Sequence, residues 1–235
     1  MNTPVAVLTG GTGELGIEVA RRLVDRGFRL GVTYLVPDEA NAFEEALRLD
    51  ESTVLLRRCD CSDRAAIGGF MDEVVGRFGG LNVLAALVGG WSGGRDVEET
   101  DDFHFDRMID VNLRSAFYSA RAALPHLRKA EWGRIILIGS RAAIEPAPGQ
   151  AAYNIAKAGV IALARTIAQE VNDAPVTANV VLPSVIDTPA FRELVPFGDY
   201  VDWPTPQEIA HVIDFLASPD SSVINGAMIP TYGKM

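Results

Sequence analysis

Seven short apolar runs alternate along this chain with longer stretches of helical period, and that alternation leaves few ways to fold it. The strand-length runs are Pro4–Thr9, Arg29–Tyr34, Thr53–Arg57, Asn82–Val88, Arg134–Gly139, Val176–Leu182 and Ala227–Pro230. Helical stretches lie between them at Glu14–Arg26, Asp38–Leu49, Asp63–Phe78, Asp102–Arg128 and Gln150–Val171. Gly27 is a natural stop for the first helix and Ser62 can cap the third. Strands that are apolar on both faces must be covered on both faces. The pattern therefore predicts an α/β fold, a doubly wound and mostly parallel sheet with helices above and below. With 48% hydrophobic residues in 235 positions, and no repeat or linker, a single domain over 1–235 is the simplest organisation. The interval Ser184–Pro206 is rich in Pro, Phe and Trp and weakly periodic, and reads as a mobile substrate loop at about 184–206.

The net charge of −10 is spread along the chain rather than gathered in a tail, and argues against nucleic acid or an anionic membrane as partner. An anionic cofactor is still admissible, because backbone N–H groups can hold phosphates without side-chain charge. Cys59 and Cys61, two residues apart on a strand end, are poorly placed to bridge, which fits a reducing cytoplasm. His104, His126 and His211 are isolated, so no metal site is expected. The chain enters its first strand without a basic lead or cleavage site, so no secretory signal is expected. The longest apolar runs, Val83–Val88 and Ile135–Ile138, fall far short of the ~20 residues of a membrane span.

Two motifs carry chemistry. Thr9-Gly10-Gly11-Thr12-Gly13-Glu14-Leu15-Gly16 joins the first strand to the first helix, and Gly10, Gly13 and Gly16 keep the rhythm of a dinucleotide turn in a Rossmann-like fold. Glycine there permits a tight bend, close approach to a pyrophosphate and close packing of helix on strand. Further on, Tyr153 and Lys157 are four residues apart in a helical stretch, which sets them on one face, and Ser140 lies thirteen residues before Tyr153 at a strand end. A phenol loses its proton near pH ~10, and a neighbouring ammonium favours the phenolate and moves that value toward neutrality. A hydroxyl close by can hold the oxygen that gains or loses the proton.

Together these residues resemble the short-chain dehydrogenase/reductase family over essentially the whole chain. Its glycine turn aligns with Thr9 to Gly16, its catalytic serine with Ser140 and its Y-x-x-x-K with Tyr153 and Lys157. Its helix asparagine matches Asn112, and its segment over the nicotinamide looks like Pro183-Ser184-Val185-Ile186-Asp187-Thr188-Pro189. The resemblance implies hydride transfer between a nicotinamide and a carbonyl or secondary alcohol. In it Tyr153 is the acid/base, Ser140 holds the substrate oxygen, Lys157 holds the nicotinamide ribose and Asn112 holds a water leading from Lys157 to solvent. It also implies contacts to the cofactor from Leu15, Tyr34, Asp60 (on adenine), Gly89, Pro183, Ile186 and Thr188. Thr188 can equally cap a short helix from Pro189. Trp91, Ile144, Phe191 and Trp203 are candidate walls of a small-molecule substrate pocket. The helices Asp102–Arg128 and Gln150–Val171 are the family's association surface, which implies a homodimer or homotetramer.

The chain departs from the family in places. Glu14 replaces the middle glycine of the turn, and Ala86-Leu87-Val88-Gly89 replaces N-N-A-G after the fourth strand. Gly89-Gly90-Trp91-Ser92-Gly93-Gly94 is similar to a segment of dihydropteridine reductases, which opens the alternative of a pteridine-type ring reductase, although those enzymes lack a serine at the Ser140 position. A second alternative is a nucleotide-binding sensor without catalysis; an intact Ser140, Tyr153 and Lys157 argues against it. The cofactor is NADP or NAD. An acid closing the second strand would select NAD, but Tyr34 and Leu35 stand there, and the missing acid inclines the reading to NADP. Glu14, if it faced the ribose, would oppose that.

Overall fold

The computed structural model describes residues 3–194, 198 and 200–234. Its strands are Val5–Thr9 (β1), Arg29–Tyr34 (β2), Val54–Arg58 (β3), Val83–Ala86 (β4), Gly133–Ile138 (β5), Val176–Pro183 (β6) and Met228–Thr231 (β7). They form one sheet, parallel throughout, in the order β3-β2-β1-β4-β5-β6-β7. The helices are Glu14–Asp25 (α1), Pro37–Leu47 (α2), Arg64–Phe78 (α3), Asp102–Met108 (α4), Ser115–Leu127 (α5), Ala151–Glu170 (α6), Pro189–Leu194 (α7) and Pro206–Leu216 (α8). This is the doubly wound, Rossmann-like single domain that the alternating pattern predicts.

Both sheet faces are buried, as strands without a polar side require. On one face Leu84, Ile135 and Leu137 pack with Val160 and Ala164 of α6 and with residues of α3 and α5. On the other, Leu8, Leu30 and Val32 pack with Val19 and Leu23 of α1, Phe43 of α2 and Ile209 and Ile213 of α8. Chain direction across the sheet reverses between β1 and β4, so the loops leaving their C-terminal ends part and open a crevice there.

The structure corrects the sequence reading at several points. Ser62 does not cap α3; Asp63 does, accepting from the N–H groups of Ala65 and Ala66 at 2.7 and 3.2 Å, while Ser62 closes a turn on Asp60. A carboxylate reaches two helix N–H groups at once, which a hydroxyl one residue earlier cannot do. The helix expected from Asp102 widens to π-type winding over Ile109–Arg114 before α5, a local expansion common at functional sites. Helix α8 was not expected at all. Its start is marked by a reciprocal capping box: Thr205 Oγ1 accepts from Glu208 N–H and Glu208 accepts from Thr205 N–H. Within the expected loop 184–206, Pro189–Leu194 is helical and residues 195–197 and 199 lie outside the described residues. Among the described residues no helix is long and apolar enough to cross a membrane, and no cluster of His, Cys, Asp or Glu could hold a metal ion.

Close packing of helix on sheet has a testable limit at Gly31 in β2. A methyl group there would lie 2.4 Å from Val74 Cγ2 of α3 and 3.2 Å from the Phe70 ring and from Val7. Gly31→Ala should cost about 1–3 kcal/mol of overpacking strain, read in a melting experiment as a Tm lower by roughly 3–10 °C.

Candidate active site

The crevice floor is the turn from Gly10 to Gly16. Gly10 has φ +65°, which only glycine adopts without strain, and a methyl on it would press Val88 at 2.9 Å. Gly16 leaves no room at all: its missing Cβ would lie 2.4 Å from the Gly11 carbonyl group, so α1 is drawn directly onto the turn. Thr33 Oγ1 of β2 pins the bend by accepting from Gly10 N–H at 2.9 Å. Gly13, at the N-cap of α1, has only the Gly10 oxygen within 4 Å of its missing side chain, and no side chain caps the helix. The first-turn N–H groups therefore point into open space with the positive end of the helix dipole. Thr9 Oγ1, buried at the end of β1, has no hydrogen-bond partner among the described residues. Unpaired donors, a glycine surface and an orphaned buried hydroxyl are a set that fits a dinucleotide pyrophosphate.

Beyond β4 the structure brings together the four residues expected to act. Ser140 follows β5 and is buried; its Oγ accepts from Ala142 N–H at 3.1 Å and lies near enough to the Tyr153 phenol of α6 to favour its ionised form. Lys157, one turn on, is buried and donates from Nζ to the Ile138 carbonyl at 2.9 Å. Asn112 is buried in the π-type segment, and its amide donates to the carbonyls of Gly90 and Met108 at 2.9 and 3.1 Å. Its Oδ1 accepts from Gly90 N–H at 3.2 Å. Gly89 is the seam between the two polar groups: a methyl there would lie 3.1 Å from both Asn112 Oδ1 and Lys157 Nζ.

Electrostatics differ from the sequence expectation in one respect. Burial pushes the Tyr153 phenol above its ordinary value, and the Ser140 hydrogen bond offsets this only in part. Lys157 Nζ lies 5.9 Å from the phenol ring centroid, and the expected lowering by that ammonium does not govern the phenol in this structure. Burial acts on Lys157 too, lowering it to about 8.

The other expected contacts divide. Tyr34 and Asp60 stand at the ends of β2 and β3, where an adenosine would lie, but one Asp60 oxygen is already engaged by Ser62. Leu15 and Ile186 pack onto the core beneath the turn. Pro183 ends β6, and Thr188 takes its capping role, accepting from Phe191 N–H at 3.2 Å. Trp91, Phe191 and Trp203 form one edge-to-face row with centroids 6.1 and 5.8 Å apart, while Ile144 stands exposed after the turn that follows Ser140. Gln150 was not singled out from sequence, yet its Oε1 accepts from Trp91 Nε1 at 3.4 Å; a lone Gln before an Ala-rich helix carries no signal of that. Glu14 is raised by burial and by the Asp187 carboxylate in the segment after β6.

Known proteins resemble this chain along nearly its whole length. The family described as enoyl-(acyl carrier protein) reductase matches residues 12–233. The D-beta-hydroxybutyrate dehydrogenase of Rhizobium meliloti is 35% identical over 199 residues, 83% of this chain and 76% of that one. The 3-oxoacyl-[acyl-carrier-protein] reductase MabA of Mycobacterium tuberculosis is 35% identical over 97% of this chain and 91% of its own. Among solved structures, a short-chain dehydrogenase/reductase from Serratia marcescens is 30% identical with a TM-score of 0.90, covering 99% of this chain and 97% of that one.

The buried ammonium can be followed directly, since the chain has only three lysines. Below about pH 8 Lys157 carries its proton and above it the amine is neutral. An NMR titration of lysine Cε shifts on dinucleotide-free protein should show one resonance with a midpoint about 8, and Lys157→Met should remove that resonance.

Proposed function

The chain belongs to the short-chain dehydrogenase/reductase family and is an NAD(P)-dependent oxidoreductase, and from that premise we propose that Tyr153 is its general acid/base. Ser140, Lys157 and Asn112 complete the set. The observation that carries the reading is the convergence of Ser140 Oγ on the Tyr153 hydroxyl at the crevice edge, with Lys157 buried one turn away. A bound nicotinamide supplies or takes up the hydride of a carbonyl–alcohol interconversion.

In the reducing direction Tyr153 gives its proton to the oxygen of the carbonyl as negative charge develops there. Ser140 donates to that same oxygen and stabilises the charge. Lys157, fixed by the Ile138 carbonyl, holds the nicotinamide ribose. Asn112 positions a water between Lys157 and solvent, so the proton is replaced. The glycine turn and the first N–H groups of α1 hold the pyrophosphate, and Pro183 and Ile186 back the nicotinamide. Trp91, Phe191 and Trp203 wall the substrate side, with residues 184–206 as the substrate loop. The relatives named above act on a hydroxybutyrate and on 3-oxoacyl groups, and they favour a carbonyl or secondary alcohol over a pteridine ring as the class of substrate. The free, buried thiols of Cys59 and Cys61 support a cytoplasmic setting.

Tyr153→Phe should lower turnover by about 10²–10⁴-fold, while fluorescence titration finds dinucleotide affinity within a few-fold of the parent. Unchanged turnover would refute the assignment. The chain assembles as a dimer or tetramer through α4, α5 and α6, where Phe105, Phe117 and Ile155 stand exposed. Light scattering at micromolar concentration should give a multiple of the 25.3 kDa chain mass; a monomer would exclude this.

A further inference from the structure

The acid missing from the end of β2 arrives at the turn by another route. Thr12, within the glycine turn, is buried, and its hydroxyl donates to Glu39 Oε2 at 3.2 Å. Glu39 stands in the first turn of α2, 23 residues after Gly16. That is close to the ~20-residue separation at which dinucleotide folds place the carboxylate that accepts the adenosine ribose hydroxyls. In sequence it passes for one more charge on a solvated helix start; only the fold lays it over the turn.

The connection between β2 and α2 offers little to a phosphate. Leu35 and Val36 present apolar side chains to solvent, 52% and 47% exposed. Pro37 opens α2 and has no N–H to give, and Val36 at the N-cap provides no side-chain cap. The competing group is Arg58, paired with Tyr34 across the strand ends. Its Nε is engaged with the Leu35 carbonyl at 3.2 Å, and β2 stands between it and the turn that follows β1. Glu14, at the start of α1, has the Asp187 carboxylate after β6 as its charged neighbour.

Resting on the dinucleotide reading above, we infer that Glu39 is a specificity-determining residue and that the enzyme uses NAD(H) in preference to NADP(H). The Glu39 carboxylate, oriented by Thr12, accepts from the ribose hydroxyls of NAD(H). A 2′-phosphate would meet it charge against charge, with no side-chain donor from Leu35, Val36 or Pro37 in compensation. The inclination to NADP drawn from the missing acid thus reverses.

The test is a pair of fluorescence titrations, with NADH and with NADPH, on the parent protein and on Glu39→Gln, Glu39→Asp and Arg58→Gln, each first checked for an unchanged melting temperature. The parent should bind NADH at least ~10-fold more tightly than NADPH, the order expected for one close like-charge contact near a surface. Glu39→Gln should bring the two affinities toward parity, chiefly by strengthening NADPH. Glu39→Asp should keep the preference, and Arg58→Gln should leave it unaltered. A parent preference for NADPH, or a preference that Glu39→Gln does not move, would overturn this inference alone. Loss of NADPH binding in Arg58→Gln from a parent that prefers it would assign the selection to β3 instead. Binding of neither dinucleotide by the parent would overturn it together with the functional reading on which it stands.

Discussion

An ammonium taken out of water costs several kcal/mol unless its protons find acceptors. Lys157 is buried on α6, and the acceptor it finds is the carbonyl of Ile138, the last residue of β5. That bond ties a helix to the strand end from which Ser140 departs, so it fixes the distance between the two elements that carry the hydroxyls. A side chain on Gly89 would press both Nζ and Asn112 Oδ1, and Asn112 in turn is held by both backbone groups of Gly90. One buried cation thus sits where β5 and α6 meet the loop after β4 and the π-type segment.

The cation is tolerable because the site meets it with dipoles rather than a carboxylate. A carboxylate at that depth would hold Lys157 charged and leave it neutralised toward a ligand. A single carbonyl leaves the amine poised, and burial brings it to about 8. The same preference for dipoles over charge holds at the turn, where backbone N–H groups stand in place of basic side chains. This is how a chain of net charge −10 can hold an anionic cofactor. Negative side chains that do approach, Glu14 beside Asp187 and Glu39 beside Thr12, flank the turn on its two sides.

Much of this was legible in the sequence because it is set by local pattern. Two-sided apolar strands predicted a parallel sheet, and the glycine rhythm, placed between the first strand and the first helix, pointed to a turn in which helix and strand touch. Spacing of four in a helix put Tyr153 and Lys157 on one side. What escaped had a different physical origin. The Glu39–Thr12 contact joins residues 27 apart through tertiary packing, and nothing local distinguishes Glu39 from its acidic neighbours. The balance of forces on the Tyr153 phenol also escaped, because burial is a property of the assembled site. Helix α8 was different again: Thr205, Pro206 and Glu208 spell a capping box and first-turn proline, a local signal that the aromatic residues before it obscured.

Gly89 ends with its missing side chain occupied by two working groups, and Gly90 spends both backbone groups on Asn112. On the proposed roles, the chain passes the proton-handling groups as bare backbone and carries side chains toward the substrate side only from Trp91 onward. The two tasks are consequently separable in inheritance. In the proposed mechanism, change in the residues from Trp91 would retune recognition, whereas any growth at Gly89 would press Asn112 and Lys157 whatever the substrate. On that reading the two tasks meet in the chain at a boundary one peptide wide.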